Sequence, residues 1–346
     1  FTDENGKTGL IYASEYGHLN ICNFLLDKGA DIDIKDKRRK SALLYATIKG
    51  YVEICTLLVE RGANVNEIDS VDRTPLSHAC ENGFEDICTL LLENEADINL
   101  VDWNGMVPFL YACDKEHEHI CRLLVEYGCN PFAVSLGGKS SLMFAAENGD
   151  YSLFTYILSC APSTTTSKSI RSQIDYLALV DLHQKSVLMY ACENGYTDIV
   201  QEILNKLFPP TQKSNLNILS NEAISTYIDN PDWDGKTALM YAVMHNFEDI
   251  SKELISYGAD PYLKDENNNS PITVALSNQD LKLHKTLVTE RSWYNRHHLL
   301  QYLYSTGCLS FKQQQNSSNI VNNNNNNKNE NNDKNKTLKN NQSTIR

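Results

Sequence analysis

Residues 69–101 carry two short helical apolar patterns separated by a break. In the first, Leu76, Ala79 and Cys80 make a narrow apolar stripe, and the small Ala79 and Cys80 allow a neighbouring helix to come close. Thr74 stands where an N-cap hydroxyl accepts an otherwise orphaned backbone N–H. Pro75 follows at the first helical position, where its missing N–H costs nothing. Gly83 supplies the positive φ that ends this helix. Ile87, Cys88, Leu90, Leu91 and Leu92 then form the apolar side of a second helix, and Ala96-Asp97-Ile98-Asn99 leads through a turn to Asp102.

This unit recurs with a period of thirty-three residues. Anchoring aspartates stand at Asp3, Asp36, Asp69 and Asp102, and mid-repeat glycines at Gly17, Gly50 and Gly83. Glu116 takes the fourth glycine slot and Gly149 the fifth. Cys22, Cys55, Cys88 and Cys121 keep the same spacing. Ser135 holds the aspartate slot of the fifth copy, after which the spacing stretches and copies begin at Asp181, Asp232 and Asp265. Eight copies result. Fixed-period self-similarity of this kind is the mark of a solenoid, in which each repeat is sealed only by its neighbours.

The six residues that open the first helix read T-G-L-I-Y-A from Thr8, S-A-L-L-Y-A from Ser41 and T-P-L-S-H-A from Thr74, with five further versions downstream. Together with Gly29-Ala30-Asp31, Gly62-Ala63-Asn64 and Gly258-Ala259-Asp260, they resemble the ankyrin repeat, a β-turn plus two helices with a T-P-L-H-x-A signature. The resemblance covers about nine-tenths of the chain. It implies an all-α repeat solenoid, a stack of helix-turn-helix units with β-hairpin fingers. One departure is consistent: the signature histidine slot holds Ile11, Leu44, Ser77, Leu110, Met143, Met189, Met240 and Thr273. In the family that histidine supports the loop through hydrogen bonds; here an apolar stack is expected to replace it.

The organisation follows from the register. Residues 1–134 hold copies one to four. Residues 135–180 hold copy five with a Ser/Thr-rich insertion, and 181–231 hold copy six with a longer insertion that begins at Phe208-Pro209-Pro210, where the proline pair stops a helix. Residues 232–310 hold copies seven and eight and an amphipathic capping helix around Trp293, Leu299, Leu300 and Leu303. Residues 311–346 are an Asn-rich tail with an unbroken run from Asn322 to Asn327, expected to be disordered because it has too little apolar surface to offset its ordering entropy. Phe1-Thr2-Asp3 aligns with Leu100-Val101-Asp102, so the chain is expected to be a fragment of a longer protein, and one alternative reading is the targeting segment of a larger enzyme such as a protein kinase or ubiquitin ligase.

Charge narrows the partner class. The net charge is −13, and the tail's five Lys/Arg against two Asp/Glu leave the repeats near −16. An acidic array is poorly suited to phosphate backbones, whose binding rests on Lys/Arg displacing counterions. One basic finger, Lys35, Lys37, Arg38, Arg39 and Lys40, is a weak candidate for an anionic ligand or nuclear import. Seven of the ten cysteines fall in register at inward helix positions, where free cysteine behaves as a small hydrophobe. No signal peptide and no apolar run near eighteen residues are present, so a cytoplasmic or nuclear address without membrane insertion is expected.

Chemistry is sparse. His117 and Cys121 are an i, i+4 pair, but Cys121 belongs to the cysteine register and His117 to the slot after the mid-repeat glycine. No nucleophile elbow or phosphate-cradling loop occurs, so no catalytic residue, metal or cofactor is expected. Function must lie in what differs between copies. In the family, finger tips and exposed inner-helix positions form a concave binding face. The resemblance therefore points to Trp103 and Trp233 at the tips, to the basic row Lys7, Lys40, Arg73, Lys139, Lys185 and Lys236, and to the facing row Glu15, Glu81, Glu147 and Glu193. It implies a monomeric array that binds another protein. Mutual neutralisation of the two charged rows is the plainer expectation for them, because exposed pairs contribute only about 0–1 kcal/mol.

Overall fold

Two rows of short helices run side by side through the stack. The computed structural model describes residues 1–161, 172–208 and 227–289; the bulk of both insertions, the capping helix and the Asn-rich tail lie outside them. The inner row comprises Gly9–Glu15, Ala42–Lys49, Pro75–Asn82, Pro108–Asp114, Ser141–Asn148, Val187–Asn194, Ala238–Met244 and Pro271–Ser277. The outer row comprises Leu19–Asp27, Val52–Glu60, Glu85–Glu93, Glu118–Glu126, Tyr151–Ser159, Thr197–Leu207 and Glu248–Ser256, with a further helix over 281–289. In copies one to seven each helix packs on its partner and on its counterpart in the adjacent copy, and Pro271–Ser277 packs on Ala238–Met244. The insertions leave this order intact, since the inner helices of copies five, six and seven still pack directly on one another.

Local chemistry sets the boundaries. Ser or Thr hydroxyls at Thr8, Ser41, Thr74, Ser140, Ser186, Thr237 and Ser270 accept from the backbone N–H three residues on, at 3.1–3.4 Å. Val107 offers no such oxygen, and Pro108 stands next to it at the first helical position. Gly83 ends its helix at φ 77°, and a Cβ there would lie 2.7 Å from the His117 ring of the next copy. Tyr51, Phe84, Tyr196 and Phe247 press on Gly17, Gly50, Gly149 and Gly195 in the same way. The glycine is therefore needed twice, for its backbone angle and for the aromatic ring that the following copy lays against it.

The core is one continuous cluster along the stack. Cys22, Cys55, Cys88 and Cys121 are fully buried within it, as are Cys80, Cys113 and Cys192. Inner and outer helices meet through these side chains. Ser14 touches Cys22 and Thr47 touches Cys55, while Cys80 lies 3.8 Å from Cys88 and Cys113 lies 3.7 Å from Cys121, sulfur to sulfur. Burial pushes the Cys55 thiol up to about 12, which leaves it protonated and inert.

The first insertion ends in a helix that the hydrophobic pattern did not mark. Ser172 caps Gln173–Leu177 and exchanges hydrogen bonds with Asp175. The Gln173 side-chain amide donates to the carbonyls of Leu158 and Ala161, at 3.0 and 3.3 Å, closing the end of the preceding helix. Tyr176 stacks on Phe132 at 3.7 Å, and the Tyr227 hydroxyl donates to the Leu177 carbonyl at 2.9 Å.

Glu67 is the misfit of the core. Its side chain is 1% exposed, Lys35 Nζ stands 3.5 Å away, and neither carboxylate oxygen has a hydrogen bond. Burial raises its pKa from 4.5 to about 7, against the attraction of Lys35. The folded protein thus holds a proton that the unfolded chain releases between about pH 4.5 and 7. Stability from this group is complete below pH 4.5 and is lost as pH rises through 7, by on the order of 3 kcal/mol. The urea midpoint of the wild type should therefore fall between pH 5 and 8. Glu67→Gln should remove most of that fall while leaving the pH 4 value nearly unchanged. In the core proper, Leu91→Ala should cost about 2–5 kcal/mol in the same measurement.

Candidate functional site

Seven of the eight fingers are built around an anchoring carboxylate. In copy two, Asp36 Oδ1 accepts from the N–H groups of Arg38 and Lys40, both at 2.9 Å, and Asp36 Oδ2 accepts from the Tyr45 hydroxyl at 2.7 Å. The same brace joins Asp3 to Tyr12, Asp181 to Tyr190 and Asp232 to Tyr241 at 2.6–2.8 Å, and joins Asp102 to Tyr111. In copy three His78 Nε2 takes the phenol's place at 3.0 Å from Asp69. Burial alone would raise Asp69, but the His78 bond and the N–H groups of Val71 and Arg73 outweigh it and hold its pKa at about 2. Burial lowers the His78 pKa, against the hydrogen bond to Asp69.

Loop support therefore comes from the residue after the signature histidine slot. The apolar stack expected in that slot exists, with Ile11, Leu44, Leu110, Met143, Met189 and Met240 all buried, but it does not brace the fingers. The signal was present in the sequence as a pairing at nine-residue separation. Where copy five has Ser135 instead of aspartate, it has Phe144 instead of tyrosine. Where copy eight has Val274, Asn269 turns its amide back onto Asp265 at 3.4 Å.

Adjacent fingers are then tied to one another. The N–H one residue after each anchor donates to the carbonyl two residues after the preceding anchor. The pairs are Lys37 to Asn5, Ser70 to Arg38, Trp103 to Val71, Leu136 to Asn104, Leu182 to Gly137, Trp233 to His183 and Glu266 to Asp234, at 2.8–3.3 Å. This ladder crosses all eight fingers. Within them, isolated β-bridges join Val134 to Ser140 and Val180 to Ser186.

The charged rows face each other within copies. Lys7 reaches Glu15 at 2.5 Å, and Arg73–Glu81, Lys139–Glu147 and Lys185–Glu193 form the same pair eight residues apart. The cations also lie over the bracing rings. Lys7 is 4.3 Å from the Tyr45 centroid and Arg73 is 4.3 Å from that of Tyr111. Lys185 sits between Tyr190 and Tyr241 at 4.5 and 4.6 Å. Lys236, with Met244 in the glutamate slot, turns to Asp234 at 2.9 Å. Lys40, with Ile48 in that slot, pairs with no carboxylate among the described residues and lies 6.0 Å from the Tyr45 ring. The rest of the basic finger is partly neutralised, as Arg39 meets Asp72 at 3.3 Å.

Both tip tryptophans remain largely exposed, and each is oriented by the finger before it. The Trp103 indole N–H donates to Asp72 at 2.6 Å. Trp233 meets the His183 ring edge-on, with centroids 5.5 Å apart. Beside Trp233 lies a recess of about 400 Å³, lined by Glu147, Asp181, His183, Lys185, Tyr190, Glu193 and the copy-seven finger. The His117 ring is held against Gly83, and its Nε2 lies 3.3 Å from the Glu81 carbonyl. Among the described residues no group of three or more His, Cys, Asp or Glu is placed to hold a metal ion, and no helix is long and apolar enough to cross a membrane.

The brace has a measurable consequence. Tyr190→Phe strands a buried carboxylate oxygen of Asp181 and should cost about 1.5–3 kcal/mol by urea denaturation. Installing the missing brace with Ser135→Asp and Phe144→Tyr together should give a more stable protein than the sum of the two single changes.

No curated protein matches the chain. A model of ankyrin repeats, spanning three copies at a time, matches residues 10–102, 67–134, 99–168, 138–265 and 188–298. These overlapping matches together cover residues 10–298, nearly the whole helical stack. The chain belongs to the ankyrin-repeat family.

Proposed function

We propose that this chain is a non-catalytic scaffold or adaptor that binds a partner protein across its fingers and inner helices. Ankyrin repeats are generally protein–protein interaction modules, and the observation that carries the reading here is the pair Trp103 and Trp233. Both are large, exposed aromatic rings on fingers fixed by the aspartate brace and the backbone ladder. Tryptophan on a rigid support is a typical interface anchor, because little side-chain freedom is lost when it is covered. The recess beside Trp233 supplies a place for a partner side chain next to that anchor. Lys7, Arg73, Lys139 and Lys185, with Glu15, Glu81, Glu147 and Glu193, support the reading as the lining of the same face. Their mutual pairing makes them contributors to shape and specificity more than to affinity.

The test is affinity capture followed by quantitative mass spectrometry. Trp103→Ala and Trp233→Ala together should reduce recovery of specifically captured proteins at least tenfold while leaving the urea midpoint within about 0.5 kcal/mol of wild type. Unchanged recovery would remove the tryptophans from the binding face.

A further inference from the structure

The residue that follows each anchor makes a row of side chains along the fingertips, and its chemistry changes abruptly along the array. Copies one to three carry Glu4, Lys37 and Ser70, and copy eight carries Glu266. Copies four to seven carry Trp103, Leu136, Leu182 and Trp233, which are 64%, 72%, 57% and 61% exposed. Val101 and Val134, one residue before the anchor position, widen the strip in copies four and five and are also exposed. Four consecutive large apolar residues, each on a finger tied by backbone hydrogen bonds to the one before, form a rail. Solvent-exposed apolar residues scattered singly need no explanation, but a contiguous strip rimmed by polar residues marks an interaction site.

We propose that this rail docks an amphipathic, basic α-helix of the partner, lying along the stack with an apolar residue at every seventh position. The proposal rests on the interaction reading above and adds to it which copies are used and what they bind. The spacing argument is geometric. Packed helices stand about 8–10 Å apart, which sets the interval between neighbouring fingers. A helix rises about 1.5 Å per residue, so positions seven apart lie about 10.5 Å apart on one face. Three intervals from Trp103 to Trp233 then match about 21 residues of helix.

An added β-strand is disfavoured by the fingers themselves. Strand addition needs free N–H and C=O groups along an edge. Here the N–H of the first residue after each anchor and the carbonyl of the second are consumed by the ladder. Binding must come from side chains, which is the helix-in-groove mode.

Charge sets the sign of the partner. The recess at the copy-seven end of the rail is lined by Glu147, Asp181, Glu193, Asp232 and Asp234. Lys139, Lys185 and Lys236 pair with Glu147, Glu193 and Asp234, so the carboxylates of Asp181 and Asp232 leave that end negative. The chain as a whole carries −13. Lysine or arginine on the flanks of the bound helix complements this field, and the Trp233 ring offers a π face to one of them.

The test uses a phage-displayed library of 24-residue random peptides, panned on the full chain and on the Leu136→Asp/Leu182→Asp variant. Both substitutions are at exposed positions, so folding should be retained, as circular dichroism would verify. Peptides enriched on the wild type should carry net positive charge and apolar residues seven apart. Their synthetic forms should gain helicity on binding, and their Kd should rise at least tenfold on the variant. A Glu4→Ala/Lys37→Ala control should leave the Kd within twofold. The proposal is overturned if no peptide is enriched, if enriched peptides are acidic or show a period of two or three, or if the rail variant binds them as well as wild type does. If they bind the rail variant but lose affinity for Trp103→Ala/Trp233→Ala, the interaction reading stands and the helix-on-rail proposal falls.

Discussion

No copy in this chain can seal its own apolar face, and the rest of the structure depends on that constraint. The register supplies an internal experiment. Ile54, Ile87 and Ile120 occupy the same outer-helix slot as Ile21 and are at most 2% exposed, whereas Ile21 is 49% exposed. The residue type and the local helix are the same; the difference is whether a preceding copy lies against it. Burial is therefore a property of the pair of copies, and stability accumulates by interfaces and not by a central core. That is why the small residues matter as much as the large ones. Ala46, Ala79, Ala112, Ala145 and Ala191 are fully buried at positions where a longer side chain would hold the next helix away. The mid-repeat glycines leave room for the next copy's aromatic ring on the same principle.

The fingers solve a different problem. A turn projecting from a helical stack has too few apolar contacts to fix itself, so its order must come from hydrogen bonds. In seven of the eight copies an aspartate supplies them, with one oxygen closing the turn and, in five of these, the other held by a phenol from the inner helix. The phenol ring in turn supports the cation of its own copy or the one before. Lys185 between Tyr190 and Tyr241 shows the arrangement most fully, since it bonds Glu193 in its own copy while bridging two rings across the interface. The charged rows thus bind copies to each other. Their groups are already paired, whereas Leu136 and Leu182, just after their anchors, are left exposed.

Much of this was legible in the sequence, and the reasons are specific. The period, the caps at Thr74 and Ser186, the glycine stops and the cysteine register each depend on one residue type at one slot, and repetition made them unmistakable. The Lys–Glu pairing was also legible, because an eight-residue separation recurs. The brace was harder to see, because its residue type varies: tyrosine in five copies, histidine in copy three, and Phe144 and Val274 in copies five and eight. Yet the exchange of Asp/Tyr for Ser135/Phe144 was a direct sign of a bond between those slots. The helix Gln173–Leu177 escaped because five residues show no period. Its only signal was Ser172 followed three residues later by Asp175, a capping box. The burial of Glu67 was only half legible: its slot, two residues before the anchor, holds Ile34, Leu100, Ala133, Leu179 and Leu263 in other copies, which marks the site as apolar, but nothing in the sequence shows that a carboxylate there stays buried.

Copy five brings these threads together. It is the one finger among the eight without the aspartate, and its turn is closed by the weaker Ser135 hydroxyl, which accepts from the Lys139 N–H at 3.2 Å. Gly137 and Gly138 follow, so the finger has fewer internal restraints and more backbone freedom than its neighbours. In an array whose stability is summed over interfaces, a local deficit of this kind is tolerated, because the helices of copy five still pack on both sides. The same finger carries Leu136, the most exposed member of the apolar rail, with braced fingers before and after it. The rail is therefore held least tightly at Leu136, between the braced fingers of Trp103 and Leu182: the Ser135 hydroxyl accepts one backbone N–H and no phenol, where Asp102 and Asp181 each accept two N–H groups and a phenol.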